Sequence, residues 1–576
     1  MSHAINYAIS FANPASHYCE IEIQFNNIKS QKGNSNNVTL FLPVWTPGSY
    51  MIREFARQVQ NTEAFSSAGK KLDIHKTRKN HWEVNTKGES SFTVKYKVYC
   101  NELTVRTSEI SDEHAFINCS NVFMSAKGVE NEKCSVKINP HASWKTISTG
   151  LEKIGYNLYE AENYDVLADS PIEIGNQKVL EFEIRNIKHY IALTGRANYD
   201  DETLIKDFKK IAEAQINFFR DIPYKHYTYI CHLVEKGGGG LEHLNSFAVQ
   251  FPRWAFTDVK LYKQFLGLVS HEFFHLWNVK RIRPAELGPF DYDNENHTTG
   301  LWVAEGWTSI YDNIFIRRCE ILDNKEYYEF IEKEVNDIMR FQGRFNQSLF
   351  ESSYDTWIKF YRQDENSKNS QVSYYTKGAL VALMLNLEII TSTNCEKSLD
   401  DALKALWEDY KKNPKKGFTN ERVKEICESL AGKDLTDFWN KYLMGLDELP
   451  LFDYFKKAGL ESKNVNEDLV TFDIETSQAN GKVLITKVYA GGCGYTGCLN
   501  TGDEIIAIND IRIEKDYEKI LKENKHDDEV KVLINRKGFI KEFIIKLTPA
   551  IPKYEISEIE NTTDEQRKIL NKWLLG

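Results

Sequence analysis

Two histidines four residues apart enclose a glutamate in His271-Glu272-Phe273-Phe274-His275, the part of this chain best equipped for chemistry. On a helix, positions i and i+4 share a face, so both imidazoles reach one Zn²⁺ at the roughly 2.0–2.1 Å that nitrogen ligation requires, with Glu272 beside them. Composition alone would produce this pattern about 0.02 times in a chain of this length. A catalytic zinc wants a third protein ligand and an open position for water. Glu305, in Gly300-Leu-Trp-Val-Ala-Glu-Gly-Trp-Thr-Ser-Ile-Tyr-Asp312, is the candidate, with Thr298 and Thr299 ahead of that segment as helix caps. Flanked by Leu301, Trp302, Val303, Ala304 and Trp307, it would be a buried acid without a charge partner, a conflict that a metal resolves. Residues 276–304 leave room for the chain to turn between the two helices, and His297 in that polar stretch is the alternative ligand. Such a centre polarises a carbonyl and lowers the pKa of its water while Glu272 moves the proton to the leaving amine, so amide hydrolysis is the natural reaction.

Two further features extend this constellation. The oxyanion of a tetrahedral intermediate needs a donor, and Tyr375 in Val372-Ser-Tyr-Tyr-Thr-Lys-Gly-Ala379 is a candidate that spacing alone does not separate from Tyr374 or a core tyrosine. In Lys236-Gly-Gly-Gly-Gly-Leu-Glu-His-Leu-Asn245, Gly239 and Gly240 let backbone approach a ligand closely, and Glu242 offers one carboxylate suited to a free α-ammonium.

The elements that must position these residues follow from periodicity. From Ile5 to about Glu183, alternating runs such as Cys19-Glu-Ile-Glu-Ile-Gln-Phe25, Ser91-Phe-Thr-Val-Lys-Tyr-Lys-Val-Tyr99 and Val179-Leu-Glu-Phe-Glu-Ile184 predict an antiparallel β-sandwich. Residues 202–219 switch to helical spacing and 224–234 read as a strand, opening an α/β unit. Residues 261–444 are mainly helical, with Ser398-Leu-Asp-Asp401 expected as a capping box and Thr419 as a cap. After residue 460, four β-like runs mark a small module, and a short helical tail closes the chain.

Composition narrows the function classes. With 576 residues, 41% hydrophobic, 12% aromatic and 11 Trp, the chain is folded and multidomain rather than disordered. The net charge of −10, with no concentrated Lys/Arg face, argues against a nucleic-acid partner. No signal-like start and no run of about 18 apolar residues appears, so a soluble, cytoplasmic protein without a membrane partner is expected. The ten cysteines form no CxxC pair and are expected as reduced core fillers.

His271-Glu-Phe-Phe-His-Leu-Trp-Asn-Val-Lys-Arg-Ile-Arg-Pro284, Ala304-Glu-Gly-Trp307 and Phe41-Leu-Pro-Val-Trp-Thr-Pro-Gly-Ser-Tyr-Met-Ile-Arg53 together closely resemble the glycyl aminopeptidase family of zinc (gluzincin) peptidases, relatives of aminopeptidase N and the leukotriene A4 hydrolase group. The resemblance implies a multidomain α+β chain: an N-terminal β domain at 1–185, a thermolysin-like α/β zinc domain at 186–320, a helical domain at 321–460, a PDZ-like β module at 461–550 and a tail at 551–576. It further implies one Zn²⁺ held by His271, His275 and Glu305, with Glu272 as general base. Tyr375-Thr-Lys-Gly378 is similar to the Tyr-x-Lys-Gly signature of aminopeptidase N relatives, which makes Tyr375 the oxyanion donor. Gly239-Gly-Leu-Glu-His243 lies where those relatives have Gly-x-Met-Glu-Asn, which makes Glu242 the ammonium anchor, with His243 in place of Asn. Leu499-Asn-Thr-Gly-Asp-Glu-Ile-Ile-Ala-Ile-Asn509 resembles a PDZ pattern and implies either a peptide ligand or a structural role. The expected activity is removal of small residues, Gly or Ala, from peptides with a free amino end. The competing readings are an endopeptidase or other small-substrate hydrolase, and an idle peptide-binding scaffold.

Overall fold

Period-two alternation becomes one buried face: along Tyr18–Phe25 the side chains of Cys19, Ile21, Ile23 and Phe25 point inward. This strand pairs antiparallel with Phe92–Tyr99, and Phe25 stacks on Phe92 with ring centroids 4.8 Å apart. The computed structural model describes residues 3–28 and 36–576. Two units emerge, residues 1–296 with 413–417 and residues 297–412 with 418–576.

The first unit is β-rich. It holds an eleven-stranded and a four-stranded sheet built from residues before 176, then a five-stranded sheet that carries the α/β part. The expected all-antiparallel arrangement is corrected at one place: Ile5–Ser10 lies antiparallel to Tyr18–Phe25 but parallel to Cys134–Asn139. Alternation dictates which face of a strand is buried and leaves the direction of its neighbour open.

In the five-stranded sheet, Ile187–Thr194, His226–Val234 and Ser246–Pro252 run parallel, with Lys178–Ile184 and Gly239–Glu242 antiparallel at the two edges. The hairpin of Lys178–Ile184 and Ile187–Thr194 therefore spans the turn at 185–186 as one element. The crossover between the first two parallel strands is the helix Asp201–Phe219, capped by Asp200, which accepts from the Thr203 amide at 2.9 Å.

In the second unit, helices surround Thr376–Ser392, whose residues 376–390 are all buried. Thr419 caps Asn420–Ala431 through the Arg422 amide, as expected. The capping box at Ser398 is half formed: its amide donates to Asp401 Oδ2 at 3.0 Å, while its hydroxyl is buried without a partner. The Asp401 amide, which a capping box would bring to the Ser398 hydroxyl, donates to the Ser398 carbonyl at 3.1 Å, and the Leu399 amide donates to Asn386 Oδ1 on a neighbouring helix.

The terminal sheet has its own core of Phe472, Val483, Ile505, Val530, Val532 and Ile545. Beyond it, Tyr554–Glu558 pairs with Leu460–Asn464, and the helix Asp564–Leu575 buries Ile569, Leu570, Trp573 and Leu574. Eight of the ten thiols are buried, which is where core fillers belong. Among the described residues, no helix is long and apolar enough to cross a membrane.

Candidate active site

The helix Val259–Phe274 carries the histidine pair. Asp258 caps it through the Leu261 amide at 2.9 Å, and Phe265, Leu266, Val269, Phe273 and Phe274 form its buried side. Gln215, on the crossover helix, donates to both the carbonyl and the hydroxyl of Ser270 at 2.9 Å, fixing the turn just before His271. Past the helix end, the Arg281 guanidinium donates to the carbonyls of Leu276, Leu244 and Pro223 and to Asn245 Oδ1. That clamp holds the turn after His275 against the turn after Glu242.

The His271 and His275 rings lie 4.6 Å apart, with their Nε2 atoms separated by 3.0 Å. His275 Nδ1 is 2.6 Å from the Asn278 carbonyl, which can only accept, so Nδ1 carries the proton and Nε2 presents its lone pair. Two ring nitrogens facing each other this closely need a proton or a cation between them. Imidazole lone pairs aimed at one point, one ring oriented by a backbone carbonyl, fit a divalent metal such as zinc.

Glu272 is 4% exposed and lies against the glycine run. A Cβ at Gly240 would fall 2.0 Å from Glu272 Oε1, so only glycine permits this approach. Gly239, at φ +105°, has open space on its side-chain position. Glu242 is also 4% exposed, its Oε1 has no hydrogen-bond partner, and ligand atoms of Glu242, Glu272 and His275 all lie within 4.8 Å of one another. The structure thus brings His271, His275, Glu272, Glu242 and Gly240 together from the helix and the sheet edge.

His243 turns away from this group: Nδ1 is 3.1 Å from Asp169 Oδ1, which also takes Lys280 Nζ at 2.8 Å. Burial raises the Asp169 pKa, but Lys280 and His243 outweigh it and leave the carboxyl below its usual range. A cavity of about 140 Å³ is lined by Gly48, Tyr50, Asp165, Asp169, Glu242 and Lys280, among others.

In the second unit, Glu305 is 2% exposed on a π-helical turn, Trp302–Trp307, that continues into Thr308–Arg318. A regular helix over 300–312 was the expectation. The wider turn inserts one residue into the helical register, a feature frequent at functional sites. The Gly300 amide donates to Thr298 Oγ1 at 3.0 Å in a turn just ahead of the helix, which has no side-chain cap, so the expected capping role of Thr298 is corrected.

A Cβ at Gly306 would lie 2.6 Å from Gly378 Cα, so this turn and the start of Thr376–Ser392 meet backbone to backbone. That contact ties Glu305 to the segment following Tyr375. Tyr374 is fully buried and accepts from Thr356 Oγ1 at 3.0 Å, whereas Tyr375 is only half-buried, its ring stacked 5.3 Å from Phe360. Lys377 is 1% exposed with no partner for its ammonium, and burial pushes its pKa down to about 8. His297 is occupied locally, with Nδ1 2.9 Å from the Tyr354 carbonyl and its ring stacked on Tyr354. Asn278, Arg281, Gly306 and Gly378 were not singled out from the sequence for these roles, although all four lie within motifs that were.

Comparison with known proteins identifies the family. The profile of the Peptidase M61 N-terminal domain matches residues 6–176, and that of M61 glycyl aminopeptidase matches residues 264–381, together about half of the chain. No curated protein matches significantly in sequence. Among solved structures, an aminopeptidase N family protein from Idiomarina loihiensis is 29% identical with a TM-score of 0.91, covering 99% of this chain and 100% of its own. An M1 zinc metallopeptidase from Deinococcus radiodurans is 10% identical with a TM-score of 0.48, covering 78% of this chain and 94% of its own. Native yeast LTA4 hydrolase is 13% identical with a TM-score of 0.45, covering 79% of this chain and 69% of its own. The chain belongs to the M61 glycyl aminopeptidase family and is a metallopeptidase.

Proposed function

We propose that this enzyme is a zinc aminopeptidase that removes a small residue, Gly or Ala, from the free amino end of a peptide, with one zinc per chain. The observation that carries the reading is the Glu242 carboxylate, 4% exposed, with Oε1 unpartnered and its ligand atom within 4.8 Å of those of Glu272 and His275. A buried carboxylate oxygen lacking a donor is costly unless a cation meets it. The α-ammonium of a peptide is such a cation, and bound there it places the first peptide bond beside the base.

In this reading His271 and His275 hold the metal and Glu305 completes the ligand set, its support being the buried position in an apolar segment. Zinc bound by them would polarise the scissile carbonyl and lower the pKa of a water molecule. Glu272 takes the proton of the attacking water on its carboxylate and delivers it to the departing amine. Tyr375 donates its phenolic O–H to the carbonyl oxygen as charge develops there, and its half-buried position beside a fully buried Tyr374 supports that choice. Gly239 and Gly240, on the edge strand Gly239–Glu242, let the substrate backbone approach while Glu242 holds its ammonium.

Residues 461–550 are read as a PDZ-like module, with either a peptide ligand or a structural role. The support is the Gly502-Asp-Glu-Ile turn, where Asp503 is 1% exposed and accepts from Arg536 at 2.8 and 2.7 Å.

The test is hydrolysis of Gly, Ala, Leu and Arg anilides, each with a free or an acetylated amino group, before and after a zinc chelator. Chelator-sensitive cleavage restricted to free amines and fastest for Gly and Ala is expected. Equal cleavage of acetylated substrates would sink the aminopeptidase reading in favour of an endopeptidase.

A further inference from the structure

The loop at residues 44–50 reaches Glu242 from the β-rich part of the first unit. It is held tightly: the Val44 amide donates to the Tyr292 carbonyl at 3.0 Å, Trp45 Nε1 to the Asp291 carbonyl at 2.8 Å, and the Ser49 amide to the Thr46 carbonyl at 3.1 Å. Thr46 Oγ1 also donates to Asn118 Oδ1, and Arg53 donates to Ser49 Oγ at 3.0 Å. Trp45, Thr46 and Ser49 are fully buried. At the tip, Gly48 has φ +84°, and a Cβ built there would lie 2.6 Å from Glu242 Oε1, 2.8 Å from Oε2 and 2.7 Å from Leu241 Cδ1. The bare Cα of Gly48 is therefore pressed against both oxygens of the carboxylate. Glycine is required twice, by the left-handed backbone and by the absence of room.

We propose that Gly48 is a specificity-determining position: its bare Cα seats the 44–50 loop as a wall behind Glu242, closing the amine subsite so that a bound peptide must end there in a free α-ammonium. This rests on the reading of Glu242 as the ammonium anchor and extends it to a residue some two hundred positions away in the chain. The wall works by geometry, since a pinned loop with a fixed tip leaves the carboxylate one direction in which to meet a cation. A side chain at position 48 would push the carboxylate out of that position, and misplacement of a binding group by about 1 Å can cost around 100-fold in rate.

The experiment compares the wild type with Gly48→Ala, Glu242→Ala and Glu242→Asp, and with Gly48→Ala combined with each Glu242 change. Gly69→Ala is the control for backbone strain, because Gly69 has φ +77° but nothing within 4 Å of its side-chain position. Each protein is assayed on free and acetylated Ala anilide, with zinc content and thermal unfolding measured alongside.

Gly48→Ala should lose about 10–100-fold in kcat/KM on the free amine, chiefly through KM, while Gly69→Ala retains activity. On Glu242→Ala it should add nothing, and on Glu242→Asp, whose shorter side chain makes room for a methyl group, it should cost far less. The Glu242→Asp pair also serves if Gly48→Ala alone does not fold. Equal losses from Gly48→Ala in all three backgrounds, or no loss in the wild-type background, would overturn the wall. If Glu242→Ala abolishes the preference for a free amine and Gly48→Ala does not weaken it, the anchor stands and the wall falls. If Glu242→Ala leaves that preference intact, the anchor itself is wrong and the proposal goes with it.

Discussion

Replacing Glu173 with Ala should destabilise the first unit by about 3–5 kcal/mol, the usual cost of removing one partner from a buried charge pair. Glu173 is fully buried on the strand Ile172–Gly175 and accepts three bonds: His114 Nδ1 at 2.8 Å, Thr194 Oγ1 at 2.8 Å and His232 Nε2 at 2.9 Å. His114 belongs to the same four-stranded sheet, whereas His232 and Thr194 come from the five-stranded one, so this carboxylate links two sheets. His114 faces a second carboxylate through Nε2, 3.2 Å from Glu109. Both of its ring nitrogens point at acceptors, which requires the doubly protonated cation.

Burial alone would depress the His114 pKa, but Glu173 and then Glu109 outweigh it and hold it at about 10. Burial likewise raises Glu173, and His114 with His232 brings it down to about 2. The alanine variant leaves the buried His114 cation with Glu109 alone and His232 and Thr194 without their acceptor. Glu173→Gln keeps the shape and turns charge-assisted bonds of about 1.5–3 kcal/mol into neutral ones of about 0.5–1.5, so it should cost less, about 2–3 kcal/mol.

The pH dependence has a definite sign. A folded pKa raised above the unfolded value near 6.5 gives stability complete below that pH and lost as pH climbs toward 10. A carboxylate lowered from about 4.5 gives stability complete above 4.5 and lost as pH falls toward 2. The gap between wild type and variant should therefore be widest between about pH 4.5 and 6.5 and narrow on either side. Urea unfolding at pH 5.5, 8 and 10, followed by near-ultraviolet circular dichroism, measures it. A gap below about 1 kcal/mol at pH 5.5, or one unchanged at pH 10, would refute the ion-pair argument.

Three further outcomes follow from the site. Glu272→Gln should retain metal, by elemental analysis, yet lose several orders of magnitude in kcat; full activity would remove Glu272 as the base. Tyr375→Phe should lower kcat by about 10²–10³-fold with little change in KM, as loss of an oxyanion donor does, and a change confined to KM would assign it to binding instead. Gly306→Ala should reduce both thermal stability and kcat, since overpacking against the Gly378 backbone costs about 1–3 kcal/mol while helix propensity returns about 1. An Ala variant as stable and active as wild type would show that the close backbone contact does not position Glu305.

The histidine pair, the glutamate between them and the glycine run were legible from the sequence because their geometry is local. An i, i+4 spacing on a helix and a glycine-rich edge ending in one acid carry their meaning within a few residues. Period-two and helical patterning identified Tyr18–Phe25, Asp201–Phe219 and Val259–Phe274 within one or two residues of their ends. The Thr419 cap was equally readable, being a bond from a side chain to an amide three residues on.

Only the tertiary structure decided the rest, and in each case the determining contact joins residues distant in the chain. The parallel neighbour of Ile5–Ser10 is drawn from residues 134–139, and the Leu399 amide finds its acceptor on Asn386 of a neighbouring helix. Gly48 meets Glu242, and the Glu173 carboxylate joins residues 114, 194 and 232. Residue type limits what each group can do, but which group it meets depends on how sheets and loops close in space. That closure is a property of the packed chain, with no signature in local spacing.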